Sequence, residues 1–355
     1  MRSIALAALA VTACTTAGSS APVGVDPGEQ SPAGSASGSG TLDGSGSGSA
    51  LLDIPDVQCA GVPDAGPAGS FNHISSELIS ALGDPVHRGF DLVAPASAAT
   101  QAIEGWISYT AADKALEDED VDLFACRDGQ WQAIGSATTD DEGHFELDLT
   151  GGDRLPIALR DMYVSVVGDR TGASFLAFVA PDDAPLIASD VDGTLTSSED
   201  AFAETIVAGI EPDAQPGAAT AYTDAASRGY QLVYVTSRGG QYTADTRQWL
   251  SDQGFPRGPV RLSTSFITLP GSDTVDYKTQ TIDALAQSLS VVMGVGNRET
   301  DIEAYTNVGL APTTIFVKLP EYQGEMQASL DAGAAIGFAA YSDLQSTYID
   351  AMPAR

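Results

Sequence analysis

Between about residue 85 and residue 180, apolar and polar positions alternate with period two between turn signals. The alternating stretches are Ile103 to Tyr109, Val121 to Cys126, Trp131 to Ala137, Phe145 to Leu149, Tyr163 to Val167 and Phe175 to Val179. Alternation of this kind marks strands with one buried face, and short strands at such spacing predict a β-sandwich. Thr139-Asp140-Asp141-Glu142-Gly143-His144-Phe145 predicts a turn feeding a strand, with Asp and Gly supplying the turn and Phe145, Leu147 and Leu149 sharing one face. After Pro185 the pattern changes to continuous apolar runs alternating with helical stretches, the mark of a parallel sheet covered on both faces. Leu186-Ile187-Ala188, Leu232 to Val235, Val291 to Val295 and Thr314 to Val317 are the predicted strands. Helices are predicted over Ala218 to Ser227, Tyr242 to Asp252 and Tyr277 to Leu289, with Gly229 and Gly254 as stop signals.

The amino-terminal end follows different rules. Met1-Arg2-Ser3 and the apolar run Ile4 to Ala13 read as a cleavable signal peptide, too short to span a bilayer. Val11-Thr12-Ala13-Cys14 resembles a bacterial lipobox, which implies that Cys14 is lipidated and the chain exported as a lipoprotein, held at an outer membrane or on the cell-surface or periplasmic side of a membrane. Gly, Ser, Ala and Pro then dominate to about Ala50, the composition of a flexible tether with a reach of roughly 30 to 35 Å for about 36 residues. The expected division is signal peptide 1–13, tether 14–52, β-sandwich 53–182 and α/β domain 183–355. In an oxidising compartment Cys59 and Cys126 are free to pair, and a disulfide closing so long a loop stabilises by roughly 4 kcal/mol on the chain-entropy view.

Charge narrows the partners. The 355 residues carry 48 Asp+Glu against 16 Lys+Arg, and the lysines are Lys114, Lys278 and Lys318. No basic run exists to neutralise a nucleic-acid backbone, which excludes nucleic-acid binding by counterion release. The same acidity repels anionic membranes, so attachment through a lipid on Cys14 matters for any lipid substrate. His73, His87 and His144 are too scattered for a metal centre.

The residues that carry chemistry sit where the predicted parallel strands end, the place at which open α/β sheets build their sites. Asp190-Val191-Asp192-Gly193-Thr194 follows the first of them. An aspartate there can take a phosphoryl group covalently, and the second aspartate can protonate the leaving oxygen and later deprotonate water. Thr236 and Ser237 end the next strong strand, where hydroxyls and amides suit phosphoryl oxygens; Gly193 and Thr194 line the same expected cradle. Lys278 is expected to open a helix and hold the dianion against its aspartates. Asn297 and Asp301, with Asp190 and Asp192, offer hard oxygen ligands that suit magnesium. Arg238 and Arg298 either touch substrate or brace loops.

This order of Asp-x-Asp-Gly-Thr, Thr/Ser, Lys and an acidic cluster resembles the haloacid dehalogenase superfamily, largely phosphatases. Within it, Gly296-Asn297-Arg298-Glu299-Thr300-Asp301-Ile302-Glu303-Ala304-Tyr305, Thr246-Arg247-Gln248-Trp249-Leu250 and Phe255-Pro256-Arg257-Gly258-Pro259-Val260 are similar to the lipin/Ned/Smp type, which includes magnesium-dependent phosphatidate phosphatases. The resemblance implies a Rossmannoid α/β domain of the haloacid dehalogenase kind, here after an immunoglobulin-like or prealbumin-like sandwich. It also implies an aspartyl-phosphate intermediate with Mg2+ as cofactor. The stretches between Asp190, Thr236 and Lys278 are too short for a large cap, which leaves a mouth open to a phosphate on a bulky lipid. In membrane-trafficking relatives the aspartates are altered and the domain senses phosphatidate without hydrolysing it; here both are intact. The expected function is therefore a magnesium-dependent phosphatase of phosphatidate or a similar lipid phosphate. The alternatives are an exported phosphomonoesterase for soluble esters and a phosphatidate-binding or cell-surface protein without turnover.

Overall fold

A computed structural model describes residues 54–110, 112–198, 212–265 and 271–355. The expected signal peptide, Cys14 and the expected tether lie outside them. Among the described residues no helix is long and apolar enough to cross a membrane.

The first half is the expected sandwich. A short strand β1 (Asp56–Val57) and helix α1 (Ile74–Ser80) precede β2 (Arg88–Phe90), β3 (Leu92–Pro95), β4 (Thr100–Trp106), β5 (Ser108–Tyr109) and β6 (Lys114–Ala115). The longer strands β7 (Asp120–Arg127), β8 (Gln130–Thr138), β9 (His144–Thr150), β10 (Ala158–Val166) and β11 (Gly172–Ala180) follow. One sheet runs β3-β11-β10-β7-β8, with β1 added beside β10; the facing sheet is β2-β4-β9. Asp128 and Gly129 turn β7 into β8 with φ of 51° and 74°, the left-handed pair that a tight hairpin requires. Ile103, Phe145, Leu149, Leu123, Met162 and Phe175 fill the space between the sheets. Cys59 and Cys126 form a disulfide with Cα atoms 5.7 Å apart and a sequence separation of 67, tying the amino-terminal segment to β7.

The second half is a parallel sheet. Its strands are β12 (Pro185–Ser189), β13 (Gln231–Gly239), β14 (Val260–Ser263), β15 (Ser290–Gly296), β16 (Ile315–Lys318) and β17 (Ile336–Phe338), in the order β14-β13-β12-β15-β16-β17. Helices α2 (Ala218–Ser227), α3 (Thr243–Asp252), α4 (Gly271–Ser288), α5 (Glu299–Asn307), α6 (Gln323–Asp331) and α7 (Tyr341–Leu344) connect and cover them. Gly229 and Gly254 end α2 and α3 with φ of 93° and 76°, as glycine beyond a helix end does. The chain begins in the middle at β12, moves out to β14, then returns to the other side of β12 with β15. The crevice between the carboxyl ends of β12 and β15 is thus the switch point at which such sheets bind ligands.

Three expectations change. Helix α4 already runs at Gly271, so Lys278 lies in its interior and does not open it. Strands β14 and β17 were not foreseen: they are short edge elements with little pattern of their own. Strand β11 is almost entirely buried from Phe175 onward instead of alternating. Its inner face packs in the sandwich, while Leu176 and Phe178 join Val93 and Leu159 against Leu186, Val233, Val235, Leu285 and Leu289 of the α/β half. Both halves belong to one compact unit.

Candidate active site

Strand β12 is buried at every position, and the chain leaves it at Asp190, whose amide donates to the carbonyl of Val295 on β15 at 2.9 Å. Asp190 is therefore pinned at the switch point. Gly193 takes φ of 68° to turn the chain away, and its amide donates to Thr196 Oγ1 at 2.8 Å. Tyrosines hold this loop from below. Tyr222 on α2 donates to Ser189 Oγ at 2.7 Å, Ser189 donates to the Asp190 carbonyl at 2.7 Å, and Tyr341 of α7 donates to the Thr194 carbonyl at 2.9 Å. Burial raises both phenols above their ordinary value, which keeps them protonated donors.

Around Asp190 the charges are closely matched. Lys278 Nζ, reaching from α4, donates to Asp190 Oδ1 at 2.7 Å and to Asp301 Oδ1 at 2.6 Å, and is 5% exposed. Burial lowers the affinity of the lysine for its proton, but the charges of Asp190 and Asp301 and the hydrogen bonds to them outweigh it, and the net shift is upward. Lys278 is an ammonium at any working pH. Thr194 Oγ1 donates to Asp190 Oδ2 at 2.8 Å and lies 3.3 Å from Asn297 Oδ1.

The second aspartate has its own clamp. Arg238 reaches Asp192 Oδ1 from Nη2 at 2.6 Å and approaches both oxygens from Nε at 3.1 and 3.0 Å, while Thr236 Oγ1 donates to Asp192 Oδ2 at 2.9 Å. Arg238 Nη1 donates to Thr246 Oγ1 on α3 at 2.9 Å, and the side chain is 2% exposed. Of the two roles open to Arg238, bracing is the one its burial allows. Arg298 braces too: it pairs with Glu325 on α6 at 2.9 Å and stacks over Tyr322 at 4.0 Å. Ser237 is partly exposed beside Thr236.

The expected metal residues divide. Asp301 has Oδ1 on Lys278, while Oδ2 accepts the amides of Asn297 and Arg298, both at 3.0 Å. It thus fixes the lysine and the start of α5 and does not add a free carboxylate. Gly296 permits this approach, since a Cβ there would stand 2.3 Å from Asp301 Cγ. The carboxylate of Asp192 is likewise committed to Arg238 and Thr236. Among the described residues no group of three or more His, Cys, Asp or Glu is placed to hold a metal ion. Side-chain oxygens for a hard ion come from Asp190 and Asn297, both within reach of the Thr194 hydroxyl. Two protein oxygens with water completing the shell fit Mg2+, which keeps several of its waters.

A cleft of about 650 Å³ lies away from these residues, between His87 and Arg88 of the sandwich and Arg247 and Gln248 on α3. None of the aspartates lines it, and its arginines are paired with Asp113, Asp91, Asp56 and Asp161. It is a seam between the two halves, not the chemical centre. Thr246, Ser189, Tyr222 and Tyr341 carry no catalytic signature in sequence. Only Thr246 stands in a stretch that the family resemblance singles out.

Residues 187–318 match the family described as PITM 1-3, LNS2 domain, and residues 85–179 match the one described as PITM 1-3, beta-sandwich domain. Among curated proteins the chain is 26% identical over 234 residues to Protein retinal degeneration B of Drosophila melanogaster, covering 64% of this chain and 17% of that protein. It is also 26% identical over 257 residues to the human Membrane-associated phosphatidylinositol transfer protein 3, covering 70% of this chain and 25% of the relative. The chain therefore spans a quarter or less of the length of these relatives. Among solved structures, D,D-heptose 1.7-bisphosphate phosphatase from B. bronchiseptica, complexed with magnesium and phosphate, aligns with TM-score 0.36 and 18% identity over 47% of this chain and 99% of that one. A phosphoserine phosphatase in apo form aligns with TM-score 0.32 and 15% identity over 46% and 98%. The α/β half is thus similar to the LNS2 domain, and the half before it to the beta-sandwich domain, of that family.

Proposed function

We propose that this chain is a magnesium-dependent phosphatase that works through an aspartyl-phosphate and takes phosphatidate or a similar lipid phosphate. The observation that carries the reading is Asp190, held at the switch point with Lys278 on one oxygen and Thr194 on the other, and with Asp192 two residues on in its own clamp. The carboxylate of Asp190 attacks phosphorus and the bond to the leaving oxygen breaks, with Asp192, which enters this step carrying a proton, giving it to that oxygen. Asp192 then takes a proton from the water that splits the acyl phosphate, restoring Asp190 and releasing phosphate. Lys278 holds phosphoryl oxygens as negative charge gathers there. Thr236 and Ser237 of β13 are the proposed further contacts to those oxygens. Asp190 and Asn297 would hold Mg2+, which supplies positive charge between phosphate and carboxylates.

Support for a lipid substrate comes from the LNS2 match and from relatives named for phosphatidylinositol transfer at membranes. Phosphate release is expected from phosphatidate in mixed micelles with Mg2+, and its loss with EDTA. Turnover of p-nitrophenyl phosphate alone would assign the chain to soluble esters; silence toward both substrates with Mg2+ present would sink the enzyme reading.

The proposed anchor is a lipid on Cys14, which would keep the site near a membrane despite the net charge of -32. Radiolabelled palmitate is expected to enter the wild-type chain in a bacterial host and to be lost in Cys14→Ser. Labelling that survives the substitution rules this anchor out.

A further inference from the structure

The arginines that follow the second motif do not serve the phosphate. Arg247 of α3, Arg257 from the segment before β14 and Arg261 of β14 all turn toward the sandwich. Arg257 pairs there with Asp56 and Asp161, while Arg247 and Arg261 meet at Asp91, between β2 and β3, which is 1% exposed. Asp91 Oδ1 accepts from the Leu176 amide at 2.7 Å and from Arg247 Nη2 at 3.0 Å; Oδ2 accepts from the Val260 amide at 2.7 Å and from Arg247 Nη1 at 3.1 Å. Its carbonyl accepts from Arg261, whose guanidinium lies 4.0 Å over the Phe90 ring. Three of the four donors to this one buried carboxylate belong to the α/β half.

The contact leads onward. Thr246, the neighbour of Arg247 in the same helical turn, accepts Arg238 Nη1 at 2.9 Å, and Arg238 holds Asp192. Helix α3 therefore carries the sandwich contact at Arg247 and the Arg238 contact at Thr246. A helical turn is rigid, so α3 cannot shift away from Asp91 and keep Thr246 at the guanidinium.

We propose that Asp91 is a positioning residue for Asp192, and that the sandwich acts as part of the catalytic apparatus by fixing α3. The inference rests on the phosphatase reading and gives the sandwich a role in it. A misplacement of about 1 Å at a group that must transfer a proton costs about ten- to a hundredfold in rate. Loss of Asp91 would act through Arg238 on the chemical step and leave the phosphate cradle at Asp190 and Lys278 untouched.

The test is a double-mutant cycle with p-nitrophenyl phosphate and phosphatidate, each with Mg2+, on Asp91→Asn, Thr246→Val and the pair. Single-turnover phosphate release is measured beside kcat and KM. Each single variant is expected to lower kcat about tenfold or more, with KM within about twofold, and the pair to be no slower than the worse single, because both act through one contact. Circular dichroism and melting confirm that each protein is folded at the assay temperature. If Asp91→Asn does not fold, Arg247→Lys, which keeps the charge and loses the two-pronged fork, takes its place in the cycle. Multiplying losses, or a lower melting temperature with unchanged kcat, would overturn the proposal. A wild-type chain that hydrolyses neither ester overturns the phosphatase reading and this inference together, whereas an active wild type with independent variants overturns the inference alone.

Discussion

Asp190→Asn is expected to lower phosphate release by about 10^4-fold or more, the range seen when a covalent nucleophile is removed. Asparagine has nearly the shape of aspartate, so the backbone anchor to Val295 and the Gly193 turn remain. What disappears is the attacking oxygen and one of the two negative charges on Lys278. The amide can still accept one of the hydrogen bonds that Asp190 accepts from Thr194 and Lys278. The check has two parts, steady-state phosphate release and trapping of a labelled acyl phosphate by acid quench. The wild type is expected to trap label and the variant none. A variant that keeps more than about a hundredth of the activity would show that another group attacks phosphorus.

Lys278→Met is expected to damage both stability and turnover. In the wild type one ammonium lies between two carboxylates that are themselves buried. Methionine fills much of the space but removes the ammonium that lies between Asp190 and Asp301. Breaking a buried pair by removing one partner costs about 3–5 kcal/mol. Loss of the cation at the phosphate should cost about a hundred- to a thousandfold in kcat. The alkaline limb of stability gives an independent check. The lysine binds its proton more tightly in the folded chain than at its ordinary value of 10.5. Its contribution is therefore complete below that pH and is lost as pH rises above it toward the raised folded value. Urea unfolding of the wild type from pH 9 to 11.5 is expected to show this decline, and the variant to lack that component. Equal slopes in the two proteins would contradict the pairing.

The sandwich and the α/β half meet through residues whose purpose is hidden in a linear reading. Arg247, Arg257 and Arg261 stand close together in a stretch that resembles a phosphatase family, which invites a role at the phosphate. Each instead turns toward the sandwich, where Arg247 and Arg257 meet acidic partners far away in sequence and Arg261 meets the Asp91 carbonyl and the Phe90 ring. Asp301 shows a similar displacement of meaning: it belongs to the metal-side motif, yet its two oxygens serve Lys278 and the backbone at the start of α5.

What the sequence determined by itself was the local part of the design. Apolar periodicity set most of the strands and the helices α2 and α3, because burial of one face or two leaves its period in the chain. Asp190, Asp192, Thr236 and Asn297 were legible because a strand delivers whatever follows it to the same edge of a sheet. Only the tertiary structure decided which charges neutralise which, since an ion pair depends on distance in space and leaves no period in the sequence. It decided that Asp192 belongs to Arg238, that Lys278 is shared by Asp190 and Asp301, and that Asp91 joins the halves. It also decided that β11 is covered on both faces, because the second cover comes from an α/β half whose packing no alternation along β11 could announce.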